Sequence, residues 1–342
     1  MQAEEFRLVR EALGAFVADH RCTSAEPTAA QRSAAQKALD ALGLIELRRG
    51  ARPLATAQEC ALLAEDFGRQ PMAASFLGTV LLAPEVLRLL DADGGDVSYE
   101  GTPTIALGRD LRFGGGAGDG RAWDAEGADS ALHVADDGTV RTLALGDMAP
   151  TTDLLRAVRV AKGEARAVGR LSREHLRAWQ AWALVMVSSE LVGAADSFVE
   201  QAAAYARDRV QYGRPIGSYQ AVQHLLADAT VAVEACASAT RYAAWCLDHA
   251  GADAALTAAR VAKAEVDVSA LQAVSAGMQV FGGIAQTWEH IAHLYLRRVR
   301  VGATVLTGTA ELLSALAGPR SSDPTQWQPS GAAEATDPTE AA

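Results

Sequence analysis

The sequence predicts a mostly α protein of three parts: an N-terminal helical unit, a short β region and a C-terminal four-helix bundle. Two observations carry this. Apolar residues recur at three- and four-residue steps over 1–92 and again over 171–317, the spacing of helices with one buried stripe. Between them, residues 93–170 hold short β-capable runs cut by Gly and Asp. The remainder, 318–342, is rich in Pro, Ser and Glu and is expected to be a disordered tail.

In the first part Phe6, Val9, Leu13, Phe16 and Val17 mark one helix, and the stretches 31–42 and 57–67 mark two more, separated by breaks near Pro27, Gly43 and Pro53. In the second, β-capable pieces at 104–107, 131–134, 139–143, 156–160 and 165–168 predict a compact sheet or barrel-like insert, with turns at Asp93-Gly94 and Asp137-Gly138. The glycine run at 113–120 has no strand before it, no helix after it and no Lys-Ser/Thr, so a hairpin loop is expected there rather than a phosphate loop. In the third, the stripe Leu176, Trp179, Ala183, Val187, Leu191, Phe198 opens the bundle. Val222 to Ala239 and Leu271 to Phe281 continue it, and a last helix is expected through Leu294, Leu306 and Leu313.

Charge and composition exclude several classes. Lys plus Arg number 31 against 42 Asp plus Glu, a net charge of −11 over 342 residues with no basic cluster, which argues against a nucleic-acid or anionic-membrane surface. Apolar runs such as 182–187 fall short of the roughly 20 residues of a membrane span, so neither a transmembrane helix nor a signal peptide is expected. Cys22, Cys60, Cys236 and Cys246 show no CxxC spacing, in keeping with a reduced, cytoplasmic protein.

Two stretches are not mere packing. Residues 207–220, RDRVQYGRPIGSYQ, form a polar junction between bundle helices; it reads either as a solvated connection or as an anion site, since arginine offers the forked donors that match a phosphate. Residues 279–290, QVFGGIAQTWEH, hold paired glycines that serve either as a helix C-cap or as a floor that a bulky ligand can approach closely. Glu289, His290 and His293 lack a third ligand in register, so no metal site is expected. His224 is expected to be a bundle or interface residue, and Glu265 and Asp267 to lie on a solvated helix face.

The order of the three parts, with RVQYGRPIGSYQAVQHLLAD and QVFGGIAQTWEH in the bundle and ALGLIEL and AEDFGRQPMAASFLGTVLL ahead of it, resembles the acyl-CoA dehydrogenase family of flavoproteins. The resemblance implies an FAD site in which Arg209 faces the pyrophosphate, Gln211 and Tyr212 line the adenosine side, Gln220 sits at the same interface, and Gln279 with Gly282 and Gly283 closes over the rest. It also implies a carboxylate base that takes the α-proton of an acyl-CoA. The two places where the family carries that base hold Thr307 and Ala183 here, so both are vacant, and Glu190 is the one substitute within reach of the same stripe.

The TWEHxxHLYLRR string is similar to a branch of the family built as α2β2 heterotetramers, in which one subunit supplies the base and the other lends its bundle to the flavin. The resemblance therefore implies a helper subunit that shares FAD with a catalytic partner acting on a bulky CoA thioester, possible steroid side chains among them. Two alternatives stay open: a self-sufficient flavoenzyme with an atypical base, and a flavin-free scaffold of the same fold.

Overall fold

The computed structural model describes residues 1–95, 101–114 and 120–318. The tail expected beyond residue 318 lies outside the described residues. The chain opens with α1 (Ala3–His20), α2 (Ala29–Asp40) and α3 (Ala57–Gly68). Helices α2 and α3 begin where Thr28 and Thr56 accept the N–H three residues on, while Gln31 and Glu59 reach back, closing the free backbone donors of the first turn. A π-helical turn, Leu77–Leu82, runs on into α4 (Ala83–Ala92). Both are buried nearly all round, so they have no polar stripe by which the sequence could have marked them as helical.

The middle part is a closed barrel of β1 (Pro103–Leu107), β2 (Gly120–Trp123), β3 (Ser130–Val134), β4 (Thr139–Met148) and β5 (Val158–Arg170), in the order β1-β2-β5-β4-β3. Parallel pairing of β1 with β3 closes it. The two strands expected at 156–160 and 165–168 are one long strand, and the glycine run ends directly in β2, which the sequence did not signal. A small, tightly curved barrel needs its strands bent and extended together, and the Gly that punctuates β5 bends the strand instead of ending it.

The bundle follows: α5 (Arg173–Asp208), α6 (Gln220–His249), α7 (Ala252–Phe281), α8 (Ala292–Gly302) and α9 (Thr309–Ala317). Its central helix α5 is buried on every side from residue 181 to 195. Both α5 and the helical stretch from α7 to Gln286 are apolar and long enough to cross a membrane, with mean hydropathy 1.3 over 18 residues. In α5 that window is 94% buried within the protein, as expected of a core helix.

The last helix expected from the sequence is two. Between α8 and α9 the chain turns out at Leu306, whose φ is +74°. Its N–H donates to the Leu111 carbonyl and its own carbonyl accepts from the Phe113 N–H, both at 2.9 Å, so the segment pairs with the barrel. Apolar spacing cannot register such a break, because Leu306 is buried either way.

Candidate functional site

The residues singled out for a cofactor gather at one end of the bundle. The α5–α6 junction is a tight hairpin of β6 (Val210–Gln211) and β7 (Arg214–Pro215), with Val210 opposite Pro215 and Gln211 opposite Arg214. Its two loop residues, Tyr212 and Gly213, both have positive φ, at 52° and 77°. Two such residues in a two-residue loop match the twist of the flanking strands. The price of a non-glycine there falls on Tyr212, which stands 93% exposed.

Arg209 ends α5, where its N–H donates to the Tyr205 carbonyl at 2.8 Å and its side chain projects into solvent. Arg214 lies 4.0 Å above the Tyr219 ring. Neither arginine has an ion-pair partner among the described residues, although most arginines that the fold uses are paired. Opposite them α7 ends at Gly282, whose φ of 68° and ψ of −144° belong to glycine alone.

Two adjoining clefts flank this turn and share Gly282 and Gly283. One, of about 380 Å³, takes in Arg209 and Gln211 beside Tyr205 and Phe281. The other, of about 470 Å³, takes in Gln279, Ser275 and Gln286. Tyr212 and Gln220 border neither cleft; Gln220 opens α6 and is exposed. A Cβ built at Gly283 meets nothing within 4 Å, and its φ is not in the left-handed region. Nothing inside the chain demands glycine at 283, so the bare backbone serves whatever approaches from outside.

Both vacant base positions are closed. Ala183 has no exposed surface, and its neighbours on α5 are equally buried. The Thr307 hydroxyl donates to Glu311 Oε2 at 3.0 Å, and that oxygen also accepts the Gly308 N–H at 3.1 Å. Arg112 from the barrel side pairs with the other oxygen of Glu311. The Gly308 N–H and the Thr307 hydroxyl, followed by Arg112, hold the Glu311 carboxyl below the usual carboxylate range, so it caps α9 and is a weak base.

Glu190 is sequestered. Its carboxylate accepts from Arg156 Nη2 at 2.6 Å and from Arg298 Nη1 at 2.8 Å. Arg156 also pairs with Asp124 at 2.8 Å, Arg298 with Asp153, and the Arg156 guanidinium lies 4.4 Å from the Trp123 ring centroid. With 1% of its surface exposed, Glu190 ties α5 to the barrel and to α8 and meets no ligand.

Asp267 corrects the expected solvated face. It is buried with Lys263, which donates to it and, at 3.0 Å, to the Gly302 carbonyl, while the Thr309 hydroxyl donates to Asp267 Oδ2 at 3.3 Å. One ion pair thus anchors both ends of the 303–308 segment. Burial pushes the Asp267 carboxyl up to about 6 against the pull of Lys263. An i, i+4 Lys–Asp pair among alanines looks the same in sequence whether it faces water or the core. Glu265, by contrast, is exposed, as is His224. His290 is held below the usual histidine range by burial and then by His293, and no cluster of three metal-ligating side chains occurs among the described residues.

Comparison with known proteins agrees with this geometry. Residues 181–320 match the model of the acyl-CoA dehydrogenase C-terminal domain. Acyl-CoA dehydrogenase IpdE2 of Mycobacterium tuberculosis is 37% identical over 134 residues, which is 39% of this chain and 40% of that protein, so the match spans well under half of the relative. Among solved structures, a variant of the Tcur3481-Tcur3483 steroid ACAD superimposes with a TM-score of 0.74 at 21% identity, over 93% of this chain and 98% of that one. The ChsE4-ChsE5 complex from Mycobacterium tuberculosis superimposes with a TM-score of 0.70 at 20% identity, over 94% and 99%. At those identities the structures establish the fold, while the bundle carries the sequence match: the chain belongs to the acyl-CoA dehydrogenase family.

Proposed function

We propose that this chain is the helper subunit of a heteromeric acyl-CoA dehydrogenase, lending its bundle end to an FAD whose reacting ring lies on a catalytic partner. The observation that carries the reading is the contrast between an open cofactor end and closed base positions. Arg209 and Arg214 are free for a phosphate, and Gly282 and Gly283 leave the backbone bare, whereas Ala183 is sealed, Thr307 has no carboxylate and Glu190 is clamped by two arginines.

Those cofactor-end residues fit the group. Arg209 would meet the pyrophosphate with a charge-assisted fork, Gln211 and Gln279 would offer amides on either side, and Tyr212 and Gln220 would face the partner at the rim. FAD, when bound, supplies the hydride acceptor for α,β-dehydrogenation of a CoA thioester. What this chain's residues contribute is binding and orientation; proton removal falls to a carboxylate of the partner. The α2β2 assembly, a bulky substrate such as a steroid-derived CoA thioester, and a cytoplasmic site of action belong to the same proposal, supported by the two-protein complexes among the similar structures.

The test is flavin stoichiometry by visible absorption, on this chain alone and co-purified with the acyl-CoA-dehydrogenase-like chain encoded beside it. About one FAD per pair of unlike chains, and none on this chain alone, is the expected result. One FAD per isolated chain with dehydrogenase turnover sinks the helper role.

A further inference from the structure

The Trp288-Glu289-His290 string and the residues that follow it form a single construction beside the clefts. The Trp288 ring, 48% exposed, lies 5.0 Å from the His293 ring with the planes 17° apart, and the Arg297 guanidinium stands 5.8 Å from its centroid. His293 is fixed at both nitrogens. Nδ1 accepts from Arg297 Nε at 3.3 Å, so Nε2 carries the proton and donates to the Trp288 carbonyl at 3.1 Å. Arg297 is braced in turn on the Thr152 carbonyl at 3.3 Å and has no carboxylate partner among the described residues. Gln286, two residues before Trp288, and Leu296, next to Arg297, line the 470 Å³ cleft.

A half-bare indole normally costs exposed apolar area; here its ring is held rigid by neutral imidazole and a guanidinium. Such a pre-ordered, cation-backed π surface suits a flat heteroaromatic ring, and the unpaired Arg209 and Arg214 of the adjoining cleft suit phosphate. An adenine nucleotide carries both. We propose that Trp288, backed by His293 and Arg297, is the stacking shelf for the adenine ring of the dinucleotide bound at this bundle end. The assignment rests on the cofactor reading given under Proposed function.

The experiment uses the two-chain complex before and after removal of its flavin, with wild type, Trp288→Ala, Trp288→Phe and Arg209→Ala. FAD affinity is read by quenching of flavin fluorescence, and ADP and FMN by competition, with complex mass followed by light scattering. Trp288→Ala should weaken FAD and ADP roughly five- to hundredfold. Trp288→Phe should keep most of that affinity, and FMN, which lacks adenine, should bind as in wild type. Wild-type ADP affinity in Trp288→Ala, or a complex that falls apart, overturns the shelf while leaving the cofactor reading intact if Arg209→Ala loses FAD. A wild-type protein that binds neither FAD nor ADP overturns both.

Discussion

The bundle end and the bundle interior are built from the same residue types and treat them in opposite ways. Inside, Arg156, Arg298 and Lys263 each meet carboxylates, and none has more than a few per cent of its surface exposed. At the end, Arg209 and Arg214 stand in solvent beside two clefts with no carboxylate in reach. A fold left to itself pairs its buried charges, since an unpaired one costs several kcal/mol. Exposed, unpaired arginines beside a glycine floor contribute little to folding, so their use lies in what arrives from outside. The difference separates residues that hold the three parts together from residues that hold a cofactor.

The sharpest way to break this contrast is to treat an interior arginine as though it were a site residue. Arg156→Met would leave Asp124 unmatched and Glu190 half-matched in a water-free space and remove the stack on Trp123. A loss of about 3 to 5 kcal/mol is expected, read as a lower urea midpoint for unfolding. A variant as stable as wild type means the network is loose and Glu190 is free to act as a base, which revives the self-sufficient enzyme.

A smaller effect comes from the buried Lys263–Asp267 pair. With the Asp267 carboxyl at about 6 in the fold and 3.8 as its ordinary value, the folded state keeps a proton that the unfolded chain has lost between those pH values. Its stabilising contribution is complete below about pH 4 and gone above about pH 6, a decline on the order of 2 to 3 kcal/mol. Asp267→Asn should flatten that segment of the curve of melting temperature against pH. An unchanged slope means the 303–308 segment is anchored without this titration.

Much of the plan was legible because it rests on periodicity. Helices α1, α3 and α5 to α7 announce themselves by three- and four-residue steps, and the hairpin and paired glycines by turn chemistry that few residues satisfy. What escaped depends on facing rather than spacing. The π-turn and α4 are buried all round and show no stripe. Leu306 is apolar in a helix or in a bridge to the barrel. Asp267 gives no sign of whether its face is wet, and Arg214 and the Trp288 stack become visible only when separate turns meet in space.

The smallest expected effects on stability, at the open end, sharpen the comparison most. Arg209→Ala should move the melting temperature hardly at all, within about 0.5 kcal/mol, because the side chain has no partner to lose. The same change should lower the FAD retained by the two-chain complex at least tenfold, since a charge-assisted fork to phosphate goes with it. Gly283→Ala divides stability from binding further. A Cβ there meets nothing in the chain, so the substitution should be neutral or stabilising by roughly 0.5 kcal/mol through the unfolded state. Flavin content should nevertheless fall, because the methyl group occupies the floor of both clefts. A Gly283→Ala complex with full flavin content moves the cofactor off these glycines, leaving Arg209 as a surface charge no different from the rest.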